Sequence, residues 1–213
     1  MTLLKLVTVL RLMRFYKSAS QIHLNRLLAF KIAEYIHTRD LRDVSVLNIG
    51  CGFGELEHRL SDNPWITSFD AVGSELSIVQ KANRRVRSQA LRELCTSFNT
   101  YRGIWAVLPT PGVYYDVLVC QGEHALVQSE KEFLDLLRSN LFRQLKTGGL
   151  LLYVLPKAVG TRYWSPSTKT LRVLLPSFSI DEVGTDRIIR KTVPLVHLEQ
   201  NSPEIIHLVD RAA

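Results

Sequence analysis

Residues 44–56 read VSVLNIGCGFGEL and contain the most informative pattern in the sequence. A run of strand-forming apolar residues leads into three glycines at alternate positions and then into a helix-forming sequence. Glycine lets the backbone turn sharply and leaves room for a ligand to lie against main-chain N–H groups. The same glycines would also suit tight packing alone, but three of them directly after a buried strand favour the approach of a ligand. The stretch therefore predicts a strand, a ligand-binding turn and a helix.

Three further segments follow in an order that suggests a parallel sheet. Residues 66–72 form a second strand-like run, and Glu75 comes at its tip. A carboxylate there can accept both hydroxyls of a ribose, because it offers two acceptor oxygens; the alternative is a solvated acid stabilised at a helix start. Residues 115–120 (YDVLVC) predict another strand, and residues 145–154 (LKTGGLLLYV) predict a glycine turn into one more.

These four segments, over roughly residues 40–156, resemble the class I S-adenosylmethionine-dependent methyltransferase family. The resemblance implies a Rossmann-like α/β fold: a seven-stranded, mostly parallel sheet with helices on both faces, preceded here by N-terminal helices. It also implies a methyltransferase that binds S-adenosyl-L-methionine. The residues that it assigns to the cofactor are Asn48, Gly50, Cys51, Gly52, Gly54, Glu75, Leu76, Ile104, Trp105 and Gln121.

The chain departs from the family pattern at two places. Asn48 stands where the family usually carries an acid, and residues 103–105 replace an acid that often contacts the adenine amino group. Ile104 or Trp105 could still cover the adenine ring by apolar contact. These departures favour an alternative function, a catalytically degenerate relative that acts as a scaffold or assembly partner, whereas the glycines and Glu75 favour the enzyme. A nicotinamide-binding oxidoreductase ranks third, because the glycine spacing is G-x-G-x-G and not G-x-G-x-x-G.

The chemistry of methyl transfer predicts no fixed catalytic motif, since an in-line displacement depends mainly on positioning and desolvation. Glu123 and His124 follow the strand at 115–120, where an acceptor should lie, and either could deprotonate it. A polar loop and a helix cap are the alternative. A basic and aromatic insert with Tyr163 and Trp164 either closes over the substrate or is an exposed loop. The predicted acceptor is a small molecule or a group bound to a carrier protein.

The net charge of +7 is concentrated at the N-terminus, because residues 1–33 contain six basic residues and no acid. The remaining 180 residues carry only +1. We therefore divide the chain into an N-terminal basic helical segment, 1–37, and a methyltransferase domain, 38–213. Three interpretations of the segment stay open: a helix that packs over the cofactor site, a helix that contacts a membrane surface, or an organelle presequence. Polar residues at every third position argue against a clean membrane-surface face.

Other features limit the partners and the compartment. A basic cluster at residues 81–92 is more typical of a solvated helix face than of a nucleic-acid surface. The three cysteines include no C-x-x-C pair, which argues against a metal site and against a disulfide framework. A cytoplasmic location fits best, with an organelle matrix as the alternative if the leader is a presequence. The segment Phe15–Ser20, followed by a helix, is similar to the entry of malonyl-carrier-protein methyltransferases of biotin synthesis.

Hydrophobic periodicity predicts the order of the elements. Two N-terminal helices should be separated by a break at Ser18–Ser20, and a strand should begin near Val44. After the second strand we expect a long helix over 77–94. The remaining predicted elements are a strand within 95–101, a helix over 130–144, a strand after Gly149, a helix near 167–175, and strands over 178–183, 188–198 and 205–209, two of which would form an antiparallel hairpin.

Overall fold

A computed structural model of the chain describes residues 3–73, 80, 84, 95–100, 114–122, 126–156, 163–183 and 186–192. Within these ranges it describes side chains from residue 21 onward, except at 95–100, 139–140, 156, 183, 186 and 192. Its strands form one seven-stranded sheet. They are β1 (Val44–Ile49), β2 (Ile66–Gly73), β3 (Cys95–Thr100), β4 (Tyr115–Cys120), β5 (Leu145–Pro156), β6 (Ser179–Val183) and β7 (Asp186–Thr192).

The sheet has the order β3-β2-β1-β4-β5-β7-β6. The first five strands pair in parallel, and β7 pairs antiparallel with both β5 and β6. The predicted Rossmann-like, mostly parallel sheet is therefore confirmed, and so is the antiparallel hairpin near its end. The direction of winding reverses between β1 and β4, so the carboxyl ends of these two strands form the crevice where open α/β sheets bind ligands.

The helices with described bounds are α1 (Leu3–Thr38), α2 (Glu55–Leu60), α3 (Glu130–Leu136) and α4 (Thr168–Leu174). The prediction of two N-terminal helices with a break at Ser18–Ser20 is wrong, because α1 runs through that segment without interruption. The physical reason is that residues 1–49 contain neither proline nor glycine. Serine and alanine can be accommodated inside a helix, and two serines alone do not end one.

The predicted helix over 130–144 is not uniform. Ser129 caps α3 by accepting from the Glu132 N–H at 3.1 Å, after which the chain forms a π-helical turn (Leu137–Leu141) and a 3-10 turn (Phe142–Gln144). The strand expected after Gly149 also begins earlier, at Leu145. Its register with β4 shifts between Tyr115 and Val117, so that β5 accommodates extra residues around its glycines.

Two apolar clusters cover the two faces of the sheet, because alternate residues of a strand point to opposite sides. One cluster contains Val46 of β1 and Val117 of β4 together with buried leucines of α1 and α2. The other contains Leu47 of β1, Leu118 of β4, and residues of α3 and α4. Helices therefore cover both faces, as predicted. The C-terminal part of α1, from Leu24 onward, belongs to the first cluster.

Several predictions fall outside the described residues. They include most of the helix over 77–94, the loop that precedes β4, the strand over 205–209 and the continuation of the last hairpin strand beyond residue 192. The division of the chain into residues 1–37 and 38–213 also stays a prediction.

Candidate functional site

The glycine loop, Gly50–Gly54, joins the carboxyl end of β1 to α2. Gly50, Gly52 and Gly54 have φ angles of 91°, 52° and 75°, so all three adopt left-handed conformations that side chains with a Cβ rarely adopt. The loop is fixed to β2, because the N–H groups of Gly50 and Cys51 both donate to the Val72 carbonyl, at 2.8 and 3.1 Å. The loop is therefore anchored at the crevice between β1 and its neighbours.

The surface of the loop is open at its centre. A Cβ added at Gly52 would meet no heavy atom within 4 Å, and Gly122, which follows β4, is equally open, with φ +67°. The two glycines follow β1 and β4, which are neighbouring strands. The ends of these strands are joined by a hydrogen bond from the Gln121 N–H to the Ile49 carbonyl, at 2.9 Å. This edge of the sheet can therefore receive a ligand against bare backbone, and the residues present fit an adenosyl cofactor.

A chain of hydrogen-bonded polar side chains lies beneath the loop. Gln21 of α1 donates to Gln121 at 3.3 Å, Gln121 donates to the Asn48 Oδ1 at 3.2 Å, and the Asn48 Nδ2 donates to the Glu57 Oε1 at 2.8 Å. Asn48, Glu57 and Gln121 are 0%, 1% and 2% exposed. We call these four residues the polar chain. It connects α1, β4, β1 and α2 at the site.

Glu57 is the unusual member of the polar chain. Burial raises the pKa of its carboxyl from an ordinary 4.5 to about 7, although hydrogen bonds from its own backbone and from Asn48 lower it. Its second oxygen, Oε2, has no hydrogen-bond partner among the described residues. The sequence predictions missed Glu57 as a site residue. Its position between Leu56 and Leu60, which face the core, was the available signal.

Cys51 is buried within the loop, and burial together with the neighbouring Glu57 raises the pKa of its thiol. The thiol is therefore protonated at neutral pH and is not a nucleophile. Cys51 contributes its backbone to the loop. Within the described ranges, no group of three or more His, Cys, Asp or Glu side chains is placed to hold a metal ion.

The structure brings six of the predicted cofactor residues together at one edge of the sheet. They are Asn48, Gly50, Cys51, Gly52, Gly54 and Gln121. The side chains of Asn48 and Gln121 lie beneath the surface and bond to each other. Six further predicted residues lie outside the described part of the chain: Glu75, Leu76, Ile104, Trp105, Glu123 and His124.

The aromatic residues after β5 do not form an exposed lid in their described part. Trp164 is half-buried, its backbone N–H donates to the Val127 carbonyl at 2.8 Å, and the centroid of its ring lies 5.1 Å from that of Phe133. Trp164 therefore belongs to the apolar cluster on the α3 face. Among the described helices, none combines the length and the apolar character needed to cross a bilayer.

Comparison with known proteins gives matches at the level of structure. No protein-family model and no curated protein matches the sequence. The magnesium protoporphyrin IX methyltransferase ChlM of Synechocystis, solved with bound S-adenosylmethionine, matches with a TM-score of 0.59 at 17% identity, over 82% of this chain and 80% of its own. The chain shares a fold with class I methyltransferases.

Two further structures support the same fold. The CcbJ methyltransferase of Streptomyces caelestis matches with a TM-score of 0.58 at 12% identity, over 80% of this chain and 89% of its own. A S-adenosylmethionine-dependent methyltransferase of Clostridium acetobutylicum matches with a TM-score of 0.55 at 14% identity, over 78% and 90%. At these identities the likeness is one of fold alone.

Proposed function

We propose that the protein is a S-adenosylmethionine-dependent methyltransferase acting on a small-molecule or carrier-protein-bound acceptor. The observation that carries the proposal is the glycine loop: three left-handed glycines at the β1–β4 crevice, open at Gly52. Tight packing alone does not require an open position at the centre of the loop. A ligand that lies against the backbone does, because any side chain at Gly52 would occupy its space.

Different residues of the chain would bind different parts of the cofactor. The backbone of the glycine loop would contact the cofactor, and the polar chain beneath would hold the loop in place. Glu75, which follows β2 in the sequence, would accept the two ribose hydroxyls. Leu76, Ile104 and Trp105 would supply apolar contacts to the adenine ring. The last four assignments rest on the sequence.

S-adenosylmethionine, when bound, would supply a methyl group on a positively charged sulfur. The sulfur is the leaving group when an acceptor attacks the methyl carbon in line. The protein's part in such a reaction is mainly to orient the reactants and to exclude water. Glu123 or His124, which follow Gln121 and Gly122 in the sequence, would accept the proton that the acceptor releases.

The acceptor class draws its support from charge. The six basic residues and missing acids of residues 1–33 would favour an acidic partner, such as a carrier protein, by electrostatic attraction. A methyltransferase of malonyl-carrier protein is one such enzyme, and an anionic membrane surface is the other partner that this segment suits. The nearly neutral remainder of the chain gives no support for nucleic-acid binding.

Calorimetric titration with S-adenosylmethionine and S-adenosylhomocysteine tests the proposal. The wild-type protein should bind both ligands, and Gly52→Ala should abolish binding because its methyl group enters the open space over the loop. Gly148→Ala is the matched control. Gly148 also has a left-handed backbone, with φ 83°, but it lies near the start of β5, at the edge of the sheet opposite the glycine loop. Glu75→Ala tests the ribose contact in the same assay.

The outcomes separate the enzyme from the alternative. Binding that is lost in Gly52→Ala and retained in Gly148→Ala supports the cofactor site and justifies a screen of acceptors. If the wild-type protein binds neither ligand at millimolar concentration, the enzyme proposal is wrong, and the scaffold function becomes the one to pursue.

A further inference from the structure

Glu57 is a buried carboxyl group at the base of the glycine loop, and only one of its oxygens has a partner. The Oε1 atom accepts from Asn48 at 2.8 Å, and Oε2 accepts no hydrogen bond from any described residue. Buried polar atoms are usually satisfied, because an unpaired one loses its bonds to water without replacement. A side chain that departs from this rule beside a ligand site requires an explanation.

The fold alone does not require an acid at this position. The bond from the Asn48 amide needs only an acceptor, which glutamine would also provide. The first turn of α2 already contains a second acid, Glu55, so that the helix start has a favourable charge without Glu57. Glu57 adds a carboxylate next to Asn48, whose side chain near the end of β1 is a neutral amide.

We propose that Glu57 is a positioning residue that supplies, from α2, the negative charge that Asn48 does not provide at the end of β1. By this charge it favours the positively charged S-adenosylmethionine over S-adenosylhomocysteine, whose sulfur is neutral. The inference rests on the proposed function and names a determinant of its ligand preference. Glu57 acts through Asn48 and through its field, and it makes no contact with the reacting atoms.

The position of Glu57 suits this role. The Asn48–Glu57 bond links β1 to α2 across the base of the loop, so that the carboxylate is held beneath the backbone that would contact the ligand. Gln121 supports Asn48 from the other side. Because Glu57 and Asn48 are buried, a charge on Glu57 acts over a longer distance than an exposed charge would.

The surroundings of Glu57 contain few groups that could replace its charge or cancel it. Glu55 is the charged group that interacts with it, and the neighbouring Cys51 thiol is protonated and therefore neutral. From β1 and β4 it meets the neutral Asn48 and, through that residue, Gln121. On α1, whose described part packs against α2, the charged or titratable side chains are exposed or paired elsewhere: His23, Arg26, Glu34 and His37 are exposed, Lys31 binds Asp181, and Tyr35 donates to the Gly148 carbonyl. On β2, which also packs against α2, Asp70 accepts from the Tyr115 hydroxyl. His58 and Arg59, on α2 itself, are half-buried.

The ratio of two dissociation constants tests the proposal. We would measure the Kd of S-adenosylmethionine and of S-adenosylhomocysteine by calorimetry at pH 6, 7 and 8. Since the pKa of Glu57 is about 7, its charge appears within this range. The preference of the wild-type protein for S-adenosylmethionine should then rise by up to roughly tenfold, which corresponds to about 1.4 kcal/mol.

Two variants distinguish an effect of the Glu57 charge from an effect of the hydrogen bond between residues 48 and 57. Glu57→Gln retains an acceptor for Asn48 but removes the charge, so its preference should stay at the low-pH value throughout. The double variant Asn48→Asp with Glu57→Gln moves the carboxylate back to β1 and reverses the direction of the same hydrogen bond, and it should recover the high preference at pH 8. Asp62→Asn, which removes an exposed charge just beyond α2, is the control and should behave as the wild type.

Failure of the inference differs from failure of the proposed function. If the wild-type protein binds both ligands but its preference does not change with pH, or if Glu57→Gln keeps the wild-type preference at pH 8, the role of Glu57 is overturned while the cofactor site stands. If neither ligand binds to the wild-type protein, the proposed function itself is wrong, and the inference falls with it.

Discussion

Replacing Glu57 with glutamine should stabilise the protein at pH 8. The folded state holds the Glu57 proton up to a pKa of about 7, whereas the unfolded chain releases it near 4.5. Between these values the folded state binds more protons, so the free energy of unfolding falls as the pH rises. The interval is about 2.5 pH units, and at about 1.36 kcal/mol per unit the loss amounts to roughly 3 kcal/mol. Glutamine does not titrate and avoids this loss.

The expected result is therefore a difference that depends on pH. The unfolding free energy of Glu57→Gln minus that of the wild type should be close to zero near pH 4.5 and about 3 kcal/mol at pH 8. Urea denaturation followed by circular dichroism at several pH values between these limits measures it. Asp62→Asn is the control, because its exposed side chain should give no comparable change. A Glu57→Gln protein that is less stable than the wild type at pH 8, or a difference that is equal at all pH values, would show that the Glu57 carboxyl does not destabilise the folded state when it ionises.

Three further substitutions test the packing at the opposite edge of the sheet by thermal or urea unfolding. Gly149→Ala should destabilise the protein by about 1 to 3 kcal/mol, because the new Cβ would lie 2.8 Å from the Lys146 carbonyl oxygen; a neutral effect would contradict this crowding. Asp116→Asn should cost up to about 1 kcal/mol at neutral pH, through loss of its 2.7 Å ion pair with Lys146. Burial raises the pKa of Asp116, but its hydrogen bonds from Lys146 and Ser45 lower the pKa more, so that it lies below the ordinary 3.8. The destabilisation by Asp116→Asn should therefore disappear as the pH falls below 3.8, and a destabilisation that does not change with pH would argue against the ion pair. Tyr35→Phe, which removes the hydrogen bond to the Gly148 carbonyl, should cost about 1 kcal/mol, and an unchanged midpoint would show that the bond contributes nothing.

Most of the sheet could be predicted from the sequence because its strands are short, apolar and bounded by glycine, proline or polar residues. The strand over 115–120 has the predicted bounds, and the helix predicted after the glycine turn forms at Glu55–Leu60. The hairpin of β6 and β7 was also expected, and its antiparallel pairing is confirmed. In these segments the local pattern and the tertiary environment favour the same conformation.

The errors occurred where the conformation depends on neighbours. The break expected at Ser18–Ser20 rests on a weak preference that a continuous helix overrides. The early start of β5 depends on its pairing with β4, where Tyr115 lies opposite Leu145. Neither effect is visible in a window of a few residues, because both depend on contacts between distant parts of the chain.

The candidate site was predictable in its backbone and not in its side-chain chemistry. The alternating glycines predict the loop, because few other residues adopt its positive φ angles. The partner of Asn48 could not be read from the sequence, since any of the nearby acids could have supplied the carboxylate. Only the three-dimensional arrangement shows that Glu57 and not Glu55 points at Asn48.

The order of the strands also has a consequence for synthesis. β5 pairs on its outer side with β7 and not with β6, which precedes β7 in the chain. Until residues 186–192 have left the ribosome, the N–H and C=O groups along that side of β5 have no strand beside them. Such an edge can pair with other nascent chains. A chain stopped between β6 and β7 should therefore be prone to aggregation, even though it already contains every residue proposed here to bind the cofactor.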